Sequence, residues 1–245
     1  MKSQRPMPAP ATPLNPEDRI PRQFISFFFF KVDNAFRHLS NEQQAQAREE
    51  YSAVVQKYQQ NGTIVVPYST IGVKSNCDFF LWRIDYKLET LQQMQAELNR
   101  TVLGKYTTPV YSLLSMSKKS VYVDKLNPEH DDVRSQIRPG RSKYVFVYPF
   151  VKTREWYLLH PPVRQGIMDE HIYVGNKYPT VKVNTTYSFG LDDQDFVVAF
   201  EGDYPEDFLD LVMELRETES SKYTERDTPF YTGVMGKIED VLETL

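Results

Sequence analysis

Apolar positions along the chain change rhythm several times, and each change marks an element. The run QFISFFFFKV (residues 23–32) is almost continuously apolar, the pattern of a buried strand. Ser40 then stands three positions before Gln43, a capping box that opens a helix. Ala47, Tyr51, Val54, Val55 and Tyr58 follow at helical spacing, and Asn61-Gly62 stops the helix. Two strands are predicted around residues 63–71 and 77–84, and a second helix carries Leu88, Leu91, Met94 and Leu98 on one face.

The same order returns in the second part of the chain. KYVFVYPFVK (143–152) reads as a strand, PPVRQGIMDEHIYV (161–174) as a helix, VKVNTTYSF (181–189) and QDFVVAFEG (194–202) as strands, and PEDFLDLVMELR (205–216) as a helix. At an offset of 117 residues, Asp78-Phe79 matches Asp195-Phe196, Leu91 matches Phe208, Glu97 matches Glu214 and Leu98 matches Leu215. A repeated β-α-β-β-α order predicts two ferredoxin-like split βαβ units. Each unit's sheet has a face to cover, so the two pack into an α+β barrel with helices outside. The expected division is a proline-rich arm over 1–21, a first half over 22–117, a linking loop over 118–141 and a second half over 142–245.

Composition narrows the function classes. A net charge of -4 gives no electrostatic footprint for nucleic acid. The single cysteine, Cys77, excludes an intrachain disulfide and reads as a small buried hydrophobe, consistent with a reducing, cytoplasmic setting. Six of the 16 prolines fall in the first 21 residues, which contain no apolar secretory core. The apolar run FISFFFF (24–30) is too short to span a bilayer, so no membrane span is expected. Aromatics are abundant, with 16 Tyr and 15 Phe, as either sheet core or the lining of a pocket for a large flat ligand.

Phosphate loops, zinc spacings and nucleophile elbows are absent from the sequence. The remaining concentration of chemistry is YPFVKTREWYLLHPPVRQGIMDEH (148–171), which holds two of the four histidines. Alternation places Tyr144, Phe146, Tyr148, Phe150 and Lys152 on one strand face. Lys152 there either meets an acceptor or lies beyond the strand in water. Pro161-Pro162 starts the following helix, and Val163, Ile167, His171 and Val174 share one face of it. His171 is then either a hydrogen-bonded core histidine or an axial ligand to haem iron. Trp156, Tyr157 and His160 read as packing around that place.

These residues resemble the chlorite dismutase-like superfamily of haem proteins, and within it the coproheme decarboxylases. The resemblance is carried by Tyr148-Pro149-Phe150-Val151-Lys152, Trp156-Tyr157-Leu158-Leu159, and Met168 ahead of His171. It extends through Ser188-Phe189-Gly190-Leu191-Asp192-Asp193 and Thr228-Pro229-Phe230-Tyr231-Thr232-Gly233, and covers about 22–234 at fold level. It implies an α+β barrel assembled as a ring-shaped homopentamer, with His171 as the proximal iron ligand. Glu219 would orient the other ring nitrogen of His171, with Ser220 competing for that role. Tyr148 would be the oxidised residue that attacks a propionate, and Lys152 the cation beside it.

The distal arginine of chlorite dismutases, seven residues before Gly190, is here Val183, followed by Asn184-Thr185. That departure favours the decarboxylases, because a guanidinium over the iron is missing. The same resemblance offers His130 as a distal base and Arg134, Arg138 and Arg141 as propionate-binding cations. It implies iron-coproporphyrin III (coproheme) as substrate, hydrogen peroxide as oxidant, haem b as product, and transient contact with a ferrochelatase. The rival readings are a chlorite dismutase or peroxidase-like enzyme, a non-catalytic haem carrier or sensor, and a structural ring without haem.

Overall fold

A computed structural model describes residues 20–124 and 136–245. The first half contains β1 (Phe24–Val32), α1 (Asn41–Gln60), β2 (Ile64–Ser69), β3 (Phe79–Asp85), α2 (Leu88–Arg100), α3 (Val102–Lys105) and β4 (Thr107–Met116). The second contains β5 (Tyr144–Lys152), α4 (Arg154–Leu158), α5 (Pro161–Asn176), β6 (Lys182–Tyr187), β7 (Phe196–Gly202), α6 (Pro205–Glu217), β8 (Thr224–Arg226), β9 (Tyr231–Met235) and α7 (Ile238–Glu243). Short 3-10 turns cover Asn34–His38 and Glu219–Tyr223.

Local signals explain the helix ends. Ser40 caps α1 and Gln43 returns the bond to the Ser40 backbone. At the other end Gly62, with φ of 94°, takes the left-handed turn that a side chain would strain. Pro161 and Pro162 start α5, and Pro205 starts α6, where a missing N–H breaks no helical bond.

The sheet order is β7-β6-β4-β1-β3-β2-β9-β5-β8, and β5 also pairs with β7. That extra pairing closes a barrel. Within it, β4-β1-β3-β2 is one ferredoxin-like sheet, and β9-β5-β7-β6 repeats its order. The repeat extends to single bonds: Asp78 accepts the Val32 N–H at 2.8 Å, and Asp195 accepts the Lys152 N–H at 2.9 Å.

Side chains alternate between two layers. Ile25, Phe27, Phe29, Phe80, Trp82, Val145, Val147, Val197, Ala199 and Tyr231 fill the barrel interior. On the outside, Phe30, Phe79 and Leu81 pack under α1 and α2, while Phe146, Tyr148, Val198 and Phe200 pack with Val174, Phe208 and Leu211 of α5 and α6. Both layers explain the near-continuous apolar runs.

Several elements lacked a sequence signal. In β4, Pro109 sits where the register with β1 shifts, a bulge that accommodates the missing donor but hides the strand period. β8 and β9 are too short to announce themselves. The described flanks of the linking loop hold no helix or strand, and its middle lies outside the described residues. Cys77 is fully buried, and burial pushes its thiol up. No helix among the described residues is long and apolar enough to cross a membrane.

Candidate active site

The outer face of β5 carries Phe146, Tyr148, Phe150 and Lys152 toward α5 and α6. Lys152 is 8% exposed, although it lies at the strand end. Its Nζ donates to the Ser220 carbonyl at 2.7 Å and sits 4.8 Å from the Trp156 ring centre. Burial lowers its pKa to about 8. Of the two readings left open for Lys152, the one with an acceptor holds.

His171 lies on α5 between Ile167 and Val174, both buried. Its Nδ1 is 3.1 Å from the Ser220 Oγ. The direction of that bond follows from the groups beyond it. The Thr218 hydroxyl donates to the Leu215 carbonyl at 2.7 Å, so its oxygen is the acceptor for the Ser220 hydroxyl 3.0 Å away. The Ser220 oxygen therefore accepts from His171 Nδ1–H, and Nε2 keeps its lone pair. Burial and the nearby Lys152 ammonium lower the histidine pKa to about 4, so the ring is neutral.

This arrangement corrects the expectation for Glu219. Its side chain is exposed and its backbone N–H donates to the Glu170 carboxylate at 2.9 Å. The 3-10 turn places Ser220, not Glu219, toward α5. His160 is also not packing: it is the exposed N-cap of α5. Trp156 is buried beside Tyr223 and Lys152, and the Tyr157 hydroxyl donates to Asp195 at 2.7 Å.

Tyr148 is 7% exposed, with the Phe230 ring centre 4.2 Å away and Phe200 stacked at 6.2 Å. Burial raises its phenol well above the ordinary range, and Asp227 raises it further while Arg216 opposes. Arg216 and Asp227 pair at 3.2 Å, so a charged pair flanks the tyrosine. Sequence reasoning missed that pair; the two residues are eleven apart and belong to no motif.

The two halves differ in how their first helix lies on the sheet. Register makes Val65, opposite Arg83, the counterpart of Val183, opposite Phe200. Val65 is 5% exposed beneath the first-half helices, but Val183 is 48% exposed. α1 packs on β2, whereas the main neighbours of α5 are α6 and the 3-10 turn after it. The outer face of β6 is therefore left open beside α5, with Phe189 and Leu191 also exposed at its end. An apolar strip of this kind suits one side of a flat ligand.

The Arg138 carbonyl accepts from Lys182 Nζ at 2.8 Å, and its guanidinium contacts Gln136 at 2.9 Å. Arg141 is exposed, with its backbone N–H on Glu201 at 3.3 Å. His130 and Arg134 lie outside the described residues. No group of three His, Cys, Asp or Glu among the described residues could hold a bare metal ion. A porphyrin iron, in contrast, needs only one protein ligand, and His171 Nε2 has the required lone pair.

Comparison with known proteins shows which family the chain resembles. A sequence profile described as chlorite dismutase matches residues 44–236. The chain is 30% identical over 224 residues to a coproheme decarboxylase of Mycolicibacterium smegmatis, covering 90% of this chain and 94% of the relative. It also superposes on the chlorite dismutase of Candidatus Nitrospira defluvii solved in complex with imidazole, with a TM-score of 0.83 and 27% identity. That match covers 91% of this chain and 94% of the other.

Proposed function

The chain belongs to the chlorite dismutase family, and from that premise we propose that it is a peroxide-dependent coproheme decarboxylase. The substrate is iron-coproporphyrin III and the product is haem b. The carrying observation is the pairing, on one layer of the second half, of a neutral histidine with a free Nε2 and a buried tyrosine. The 30% identical decarboxylase supports the same choice.

In each of two rounds a propionate and one hydrogen peroxide give a vinyl group, carbon dioxide and two waters. Iron of the bound substrate supplies the redox chemistry with peroxide. His171 holds the iron through Nε2, and Ser220 keeps its proton on Nδ1. Lys152 fixes the Ser220 backbone and adds to the burial that keeps the histidine neutral. Tyr148 supplies the phenol that loses its hydrogen atom and regains one from the propionate. Arg138 and Arg141, with Arg134, provide cations for the remaining carboxylates. Val183 presents an apolar wall where chlorite dismutation needs a guanidinium. We place the enzyme in the cytoplasm, as a homopentamer, in transient contact with a ferrochelatase that supplies iron-loaded substrate.

The test is to mix the purified protein with iron-coproporphyrin III and peroxide and to weigh the porphyrin. Loss of two carbon dioxides and four hydrogens is expected. Tyr148→Phe should bind the substrate with the same absorption spectrum yet leave its mass unchanged, and His171→Ala should lose the ligated spectrum. Intact porphyrin at saturating peroxide with the wild-type protein would sink the proposal, and oxygen release from chlorite would favour the dismutase reading.

A further inference from the structure

The repeat exposes a second site in the half that holds no histidine–tyrosine pair. Register places Ser26 opposite Arg83 where the second half has Phe146 opposite Phe200. The offset of 117 places Leu91 of α2 where α6 has Phe208. In the second half these three rings fill the layer: Phe146 stacks on Phe208 at 4.0 Å, and Phe200 lies 5.1 Å from Phe208. With Ser, Arg and Leu in their places, a pocket of about 430 Å³ opens between α2 and the sheet. That volume falls in the range of small-molecule sites.

The pocket's charge is unusual. Arg83 lines it and is only 3% exposed. Its Nη1 donates to Gln95 Oε1 at 2.9 Å, its Nη2 to Ser26 Oγ at 3.0 Å, and its plane lies 4.8 Å from the Phe28 ring centre. All of these partners are neutral, and the buried Nε has none. No carboxylate pairs with Arg83 among the described residues. Burial lowers its pKa only to about 10, so it stays charged at neutral pH. A buried cation without an anion is costly, and a guanidinium fork fits a carboxylate with two parallel bonds. The rest of the polar lining, Gln92, Gln95 and Asn99 with Ser26 and Ser112, contains no acidic group to repel one.

We propose that this pocket binds a small amphipathic carboxylate, with its anionic end on Arg83 and its apolar body against Phe28, Leu91 and Leu113. The site is independent of the second-half chemistry. Benzoate is a suitable probe, with benzamide as the uncharged control, titrated into the full-length protein by calorimetry. Wild type should bind benzoate and ignore benzamide, and Arg83→Met should weaken benzoate about ten- to a hundredfold.

Leu91→Phe, which restores the ring of the other half, should abolish binding while Arg83 remains, so the result does not hinge on Arg83→Met folding. Absence of benzoate binding to wild type at tens of millimolar overturns the proposal. So does equal binding of benzamide, or unchanged binding in Leu91→Phe. If benzoate fails and Arg83→Met lowers the oligomer mass, the carboxylate comes from a second copy of the chain, and the free-ligand site is refuted.

Discussion

At the scale of single residues, the site is a chain of donors whose order is fixed from one end. Thr218, Ser220 and His171 each give one proton away in turn, and the last acceptor is the Leu215 carbonyl. The consequence for pH follows from the histidine's pKa of about 4, against 6.5 for the free side chain. As pH falls through 6.5 the unfolded chain gains a proton that the folded chain refuses until about 4. Stability from this group is therefore full above 6.5, falls across that window, and is gone below about 4. The total is about 3 kcal/mol at roughly 1.4 kcal/mol per pH unit. Urea midpoints of the ligand-free protein between pH 4 and 7 should show the loss, and His171→Gln should flatten it by a similar amount. Periodicity put His171 on the apolar face of α5 and left its role open. The choice of Ser220 over Glu219 was not legible, because a 3-10 turn decides it and such turns leave little sequence pattern.

At the scale of elements, the informative difference is between equivalent helices. The capping box, the Asn-Gly stop and the proline starts made α1, α2, α5 and α6 readable from the sequence. The distance of α5 from β6 was not readable, since nothing in the periodicity of either element encodes how closely it packs. Two valines report on it. Val65→Asp would bury a carboxylate in the apolar layer under α1, opposite an Arg83 guanidinium that offsets only part of the cost, and should destabilise the protein by about 1–3 kcal/mol. Val183→Asp, at the matching register, should change the stability of the ligand-free protein by less than about 0.5 kcal/mol. The same change should weaken porphyrin binding if the open face of β6 is the wall of the site. Denaturant unfolding and an absorption titration with iron-coproporphyrin III separate the two effects. Equal destabilisation by both aspartates would show that α5 closes on the sheet in solution.

At the scale of the whole molecule, closing one barrel from two repeats creates two seams, and they are built differently. On one side β9 pairs with both β2 and β5, so backbone bonds run continuously across the join. Gly233 is part of that strand because a Cβ there would meet the Phe80 ring at 2.7 Å and Tyr68 Cβ at 2.8 Å. On the other side β4 and β6 share a single pair, Met116 with Tyr187. Side chains complete this seam: the Leu114 N–H donates to Asp192 at 2.8 Å and the Ser188 hydroxyl donates to the Leu114 carbonyl at 2.7 Å. Gly190, with φ of 72°, makes the turn that brings both to the same residue. The Ser188–Asp193 run thus has a structural reason, which resemblance alone could name but not explain. Asp192→Ala leaves the Leu114 donor without its acceptor, at about 1–3 kcal/mol. Amide exchange at Leu114 should accelerate accordingly while that of Val145, on the backbone-paired side, follows only the global loss. Uniform acceleration at both amides would mean that the seams open together and that the barrel has no weaker side.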